Sequence, residues 1–213
     1  MNISVILAGG IGVRCGAELP KQYQMLLGRE MIAYVVDAMR QSSLTDKIVI
    51  VAGSEDIPRL KQVYDVDCAL AGNSHNASAK SALDFIKANH LNCEKILFVD
   101  AARPFLTAET VDKYYELLEE FDGVITAQHI TDSLGREGDA VVDRASYYLI
   151  QKPEAFRFDM LHRNFSAESP ATAIVQQMPQ GATIKKNFGI RQNLKITYPE
   201  DLALAEYLMG LQK

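Results

Sequence analysis

Cysteine is scarce in this chain and carries no pattern. Its three copies, Cys15, Cys68 and Cys93, are odd in number, far apart and without CxxC spacing. That excludes a thiolate metal cage and fits reduced thiols in a cytoplasmic compartment. The four histidines (His75, His90, His129 and His162) lack metal-ligand spacing too, so they read as surface or loop residues. Tryptophan is absent. No apolar run approaches the roughly 18 residues that a membrane span needs. The N-terminus enters a short strand pattern with no basic region or cleavage site, so neither a signal peptide nor a membrane partner is expected. Cations are not in excess: 22 Lys and Arg against 27 Asp and Glu leave a net charge of −5. A nucleic-acid partner is therefore not expected, although a local basic cluster can hold a small anion.

What the chain does have is alternation. Its 213 residues, 48% hydrophobic and 23% charged, suit one globular domain over 1–213. Short apolar runs alternate with amphipathic stretches, the pattern of an α/β sheet. Strands are predicted at Ile3–Leu7, Lys47–Ala52, Cys68–Ala71, Lys95–Val99, Gly123–Ala127 and Thr183–Phe188. Helices are predicted at Met31–Gln41, Ile57–Tyr64, Ser74–Asn89, Thr107–Phe121, Pro153–Asn164 and Pro199–Gly210. Thr107 with Glu109, and Thr197 ahead of Glu200 and Asp201, place caps and acids where a helix N-terminus favours them. Residues 128–150 fit neither period. Their "AVVDRASYYLI" reads as an extended arm or hairpin, and its apolar residues (Tyr147, Tyr148, Leu149, Ile150) would leave an exposed patch on a monomer, so a homodimer is expected.

In open α/β sheets ligands bind beyond the carboxyl ends of the strands. Two such ends are rich in chemistry: the loop after Ile3–Leu7 and "FVDAARPF" after Lys95–Val99. The first holds Gly9, Gly10 and Gly12, then Arg14 and Lys21. It is not a P-loop, because no GxxxxGK[ST] run exists. Nor is it a dinucleotide finger: Cys15 stands where a third glycine belongs, and Pro20 would interrupt the helix. A long glycine loop can wrap a triphosphate, since backbone N–H groups reach phosphate oxygens where no Cβ intervenes. It can equally be an ordinary glycine turn with two solvated cations. Asp100 alone is likewise a turn or capping aspartate as readily as a ligand. Taken alone, Arg103 can pair with a surface acid and Lys195 can be a solvated edge residue.

A resemblance separates these readings. "LAGGIGVRCGAELPKQY" (7–23) resembles the signature loop of the cytidylyltransferases acting on 2-C-methyl-erythritol 4-phosphate and ribitol 5-phosphate. "FVDAARPFL" (98–106) resembles the metal-binding strand end of the erythritol branch. "VVDRASYYLIQKPEAFR" (141–157) is similar to its VDRxxLxxxQTPQxFR segment, and "QNLKITYPEDLALAE" (192–206) to its closing block. The four blocks occur in family order. The resemblance implies a Rossmann-like three-layer nucleotidyltransferase fold, with a mostly parallel central sheet and a projecting arm. It implies transfer of CMP from CTP to a small polyol phosphate, with 2-C-methyl-D-erythritol 4-phosphate first. The alternatives are ribitol 5-phosphate or another phosphate or phosphonate acceptor, a different nucleotide, and a paralogue that binds nucleotide without turnover.

Residue by residue, the resemblance gives nucleotide contacts to Ala8, Gly9, Gly10, Gly12, Gly72, Asn73 and Ser78. It gives stabilisation of phosphate charge to Arg14, Lys21 and Lys195, Mg²⁺ ligation to Asp100, and acceptor contacts to Arg103, Ser133, Arg144 and Lys152. In family dimers part of the acceptor contact comes from the neighbouring subunit's arm. The chain departs from the family at several points. Ala71 and His75 replace a glycine and an arginine in "LAGNSHNAS" (70–78). "TDSLGRE" (131–137) lacks the arm lysine, and Lys152 stands where a threonine belongs, which would suit an acceptor with extra or relocated negative charge. "ESPATAIV" (168–175) replaces an acidic tract, and Gln192 is neutral. Most of these changes fall on the acceptor side.

Overall fold

The computed structural model describes residues 1–10, 20–90, 92–138 and 141–211. Gly12, Arg14 and Cys15 lie outside the described residues. In chain order the elements are β1 (Asn2–Leu7), a small hairpin of β2 (Met25–Leu26) and β3 (Arg29–Glu30), α1 (Met31–Gln41), β4 (Lys47–Ala52), α2 (Ile57–Tyr64), β5 (Asp67–Leu70) and α3 (His75–Asn89). Then follow β6 (Lys95–Asp100), α4 (Ala108–Leu117), β7 (Gly123–His129), β8 (Tyr148–Arg157), α5 (Phe158–Asn164), β9 (Ile184–Asn187) and α6 (Pro199–Gly210).

Seven strands form one sheet in the order β5-β4-β1-β6-β8-β7-β9. The pairs β1–β4, β1–β6, β4–β5 and β7–β9 are parallel, while β8 runs antiparallel to both β6 and β7. Alternation along β1 sends Ile3 and Val5 to one face and Ile6 to the other, and both faces are covered. On one side Val35, Val36 and Met39 of α1 pack with Leu60 of α2 and Val111 and Tyr115 of α4. On the other, Ala82, Leu83 and Ile86 of α3 pack with Phe158 and Leu161 of α5. These are three layers, and β6, buried at every position from Lys95 to Asp100, runs through the middle.

Helix starts follow the local chemistry. The Ser74 side chain accepts the Ala77 N–H (3.0 Å) and Thr107 accepts that of Thr110 (3.2 Å). At α6 the capping oxygen is not that of Thr197. Asp201 Oδ2 reaches back to the N–H groups of Thr197 (2.7 Å) and Tyr198 (2.9 Å).

The stretch 148–164 departs from expectation. Pro153–Arg157 is not the first turn of a helix but the buried end of β8, and helix begins only at Phe158. A proline is tolerated in this interior strand because the β7–β8 register breaks there: Ile125 pairs with Glu154, whereas Thr126 pairs with Gln151. The ladder therefore requires no N–H from Pro153. The predicted arm is a hairpin, with His129 opposite Tyr148 and residues 130–147 as its connection.

Candidate active site

Parallel connections leave β1 in one direction to β4 and β5, then return across it to β6. Strand order thus reverses between β1 and β6, which opens a crevice at their carboxyl ends. The strand ends are held in step by backbone hydrogen bonds from Ala8 to Val51 (2.8 Å), Ala71 to Ala52 (2.8 Å) and Ala101 to Leu7 (3.0 Å). A cavity of about 380 Å³ lies there, walled by Ala8, Gly9 and Gly10 after β1, Gly72, Asn73, His75 and Ser78 around the start of α3, and Asp100, Lys21 and Lys195.

Two close approaches explain the glycines. A Cβ on Gly9 would lie 2.3 Å from the Ala71 Cβ, and one on Gly72 would lie 2.4 Å from the Ala77 Cβ. At both positions an alanine methyl occupies the space that a side chain would need, so only glycine fits. Ser78 Oγ accepts the Gly72 N–H (3.1 Å), which fixes the turn entering α3. Gln22 donates to the Ala8 carbonyl (2.6 Å), tying the segment after Pro20 to the end of β1.

Asp100 anchors the charged wall. Lys195 Nζ stands 3.0 Å from its Oδ2, and Arg103 Nε stands 3.3 Å from the same oxygen. Burial opposes ionisation of this carboxyl, but Lys195, Arg103 and, further away, Lys152 outweigh it and hold the group well below the usual carboxylate range. Arg103 is nearly enclosed and also donates to the Asn193 carbonyl (2.7 Å). Asn193 in turn donates to Gln151 Oε1 and to the Lys152 carbonyl, both at 2.8 Å. Lys21 donates to the Ile196 carbonyl (3.1 Å), joining the glycine-loop side to the segment that carries Lys195. His75 faces the same cavity. Partial desolvation at the cavity wall and the neighbouring Lys152 charge both disfavour the imidazolium, so its pKa is lowered.

The described residues expected to meet the nucleotide (Ala8, Gly9, Gly10, Gly72, Asn73, Ser78) thus converge with Lys21, Lys195 and Asp100. Arg103 backs the wall through Asp100. Lys152 does not line the cavity; it is buried beneath, 2.5 Å from Glu154 Oε1. Ser133 and Arg144 lie on the 130–147 connection, outside the cavity, and Arg144 donates to the carbonyls of Thr131 (2.6 Å) and Asp132 (3.2 Å). Four contributors escaped the sequence reading: Gln22, His75, Glu154 and Asn193. Only His75 left a signal, as the residue replacing the family arginine. A roomier cavity of about 730 Å³ opens between α4, α6 and residues 187–192, but Asp100, Lys195 and the strand-end glycines do not line it.

Among the described residues, no group of three or more His, Cys, Asp or Glu side chains could cage a metal. One ionised carboxylate nevertheless fits a Mg²⁺ that keeps several waters and draws its remaining ligands from phosphate. No helix among the described residues is long and apolar enough to cross a membrane.

Comparison with known proteins agrees with this geometry along nearly the whole chain. The sequence model of 2-C-methyl-D-erythritol 4-phosphate cytidylyltransferase (IspD) matches residues 2–211. The enzyme of that name from Cereibacter sphaeroides is 31% identical, covering 98% of this chain and 96% of its own. Its counterpart from Bacteroides thetaiotaomicron is 30% identical, covering 96% and 98%. The fold is shared with the crystal structure of 4-diphosphocytidyl-2C-methyl-D-erythritol synthase from Anaerococcus prevotii (TM-score 0.81, 24% identity, 99% of this chain and 96% of that one). A strand-end site with this lining, on this sheet and with these relatives, has one family behind it: the chain belongs to the 2-C-methyl-D-erythritol 4-phosphate cytidylyltransferase family.

Proposed function

We propose that this chain transfers CMP from CTP to 2-C-methyl-D-erythritol 4-phosphate and releases pyrophosphate. The observation that carries the reading is the convergence of glycine backbone, Lys21, Lys195 and ionised Asp100 at the β1/β6 switch point. The attacking group is an oxygen of the acceptor phosphate, already ionised near neutral pH, so no general base is needed. What the reaction demands is that two anions be held together while charge builds on the α-phosphate. Gly9, Gly10 and Gly72 let the triphosphate approach the backbone. Lys21 and Lys195 stand on two sides of the cavity to stabilise the α-phosphate and the departing pyrophosphate. Arg14, which lies outside the described residues, takes the same role on the glycine loop. Asp100 is the residue that would hold Mg²⁺, and the metal, when bound, supplies further neutralisation of phosphate charge. Asn73 and Ser78 face the cytosine end, and Arg103 holds the acceptor side.

The deciding assay is pyrophosphate release with CTP and Mg²⁺ against 2-C-methyl-D-erythritol 4-phosphate, ribitol 5-phosphate, glycerol 3-phosphate and a phosphonate. Turnover with the first is expected. Turnover with ribitol 5-phosphate alone would move the chain to the other branch, and silence with CTP still bound would mark a site that no longer turns over.

The arm supports a homodimer. Val141 is 87% exposed, and Tyr147 and Leu149 are exposed as well, apolar surface that pairing with a second copy would cover. Ser133 and Arg144 would then reach the partner's acceptor side. A dimer mass in solution is expected at micromolar concentration, and a monomer mass would refute the pairing.

A further inference from the structure

Lys21 is carried on a short turn that is gripped at several points, and one of those grips stands outside the cavity. Lys21–Tyr23 form a single 3₁₀ turn. The Lys21 carbonyl accepts the Gln24 N–H (3.2 Å), and the Gln24 carbonyl accepts that of Met31 at the start of α1 (3.0 Å). Gln22 is tied to the end of β1 through the Ala8 carbonyl. Tyr23, 6% exposed, joins the core cluster that holds Leu60 and Tyr64 of α2. Over its ring lies the guanidinium of Arg59, also from α2, 4.5 Å from the ring centroid.

Arg59 is itself held in place. Its Nη1 donates to Glu30 Oε1 (2.7 Å), and Glu30 Oε2 accepts the Tyr64 hydroxyl (3.2 Å). Glu30 directly precedes α1, so this ion pair joins α2 to the same end of α1 that anchors Gln24. Arg59 does not line the cavity, and its charge is paired with Glu30. Its route to the site is therefore mechanical. A cation held on the face of a ring fixes where the ring lies, and this ring is the last residue of the turn that begins with Lys21. From that turn the Lys21 amine reaches the cavity wall, at the Ile196 carbonyl (3.1 Å).

We propose that Arg59 is a positioning residue: by holding Tyr23 from outside the site, it keeps Lys21 aimed at a polyphosphate in the cavity. That the polyphosphate is CTP, with pyrophosphate as product, rests on the transferase reading above; the aiming of Lys21 does not.

The test is a double-mutant cycle between Arg59→Met and Lys21→Ala. It is read as affinity for pyrophosphate with Mg²⁺, by calorimetry and with no acceptor present, and as kcat and KM for CTP in pyrophosphate release. Arg59→Met keeps a long stem but loses the cation. It should weaken pyrophosphate binding about threefold to fivefold, as expected for one cation–π contact at a partly exposed site, and it should lower kcat more than it raises KM. In the Lys21→Ala background the same change should move either reading by less than about 1.5-fold, because no amine remains to be aimed. Arg59→Lys, which keeps a cation over the ring, should recover most of the loss. Equal losses in both backgrounds would overturn the proposal, since lost packing or lost long-range charge is felt with or without Lys21. Parent-like affinity in Arg59→Met, or pyrophosphate binding unmoved by Lys21→Ala, would overturn it too. If Arg59→Met fails to fold, Glu30→Gln releases Arg59 from its ion pair and is put through the same cycle with the same criteria. Silence of the parent with every acceptor, with the pyrophosphate coupling intact, would remove only the transferase reading; turnover without that coupling would remove only the role of Arg59.

Discussion

At the scale of single residues, the site is a balance of charges around one carboxylate. Asp100 is flanked by Lys195 and Arg103, so Lys195→Ala removes the proposed phosphate contact and one of the carboxylate's two ion-pair partners. Pyrophosphate release should fall by about 100- to 1000-fold, the range for losing one preorganised charged donor, with circular dichroism unchanged. Lys21→Ala should cost a similar factor, and near-parental turnover would remove Lys21 from the charge-stabilising role. The same carboxylate gives a pH signature. Its folded pKa is depressed, so its contribution to stability is present above the ordinary aspartate range near about 4 and is lost as the pH falls toward the folded value. In thermal melts from pH 5 to pH 3, Asp100→Asn should therefore lose less stability than the parent. A parallel fall in the two proteins would mean that the pairing contributes nothing. Thiol chemistry is quiet among the described cysteines: burial pushes Cys93 up to about 12 and raises Cys68 as well.

At the scale of elements, what the sequence disclosed depended on where each segment's stabilisation comes from. Helices such as α1, whose apolar residues recur on one face, and strands β1, β4 and β6, whose apolar runs end in glycine or charge, carry their signal locally. β8 does not. Its second half is a strand only because β6 and β7 close on it from both sides, and Pro153 fits only at a register break that no local pattern encodes. The site divides in the same way. Glycines and cations at strand ends are visible in the chain as motifs. Gln22, Glu154 and Asn193 matter through partners 14 to 90 positions away, or across a bulge. The close approach of the loops that follow β1 and β5 is itself testable. Gly9→Ala should lower the melting temperature and raise the KM for CTP, because its methyl would meet the Ala71 methyl at 2.3 Å and such overpacking costs about 1–3 kcal/mol. Adding Ala71→Gly removes the clashing atom and should restore most of both properties. Failure of that rescue would place the effect elsewhere.

At the scale of the whole molecule, the sheet collects residues from both ends of the chain into one crevice. Ala8 and Lys21 come from the beginning, Gly72 and Asp100 from the middle, and Lys195 from near the end, carried on a segment pinned through Asn193 and Ile196. This dispersal has a consequence for synthesis on the ribosome. The β1–β6 half of the sheet can assemble once residue 103 has emerged, with Arg103 already beside Asp100 and Lys21 already lining the cavity. Lys195 arrives nearly a hundred residues later. A growing chain therefore passes through a long interval in which the crevice exists but lacks one of its cations, and the charged wall is completed only as the last stretch is laid down.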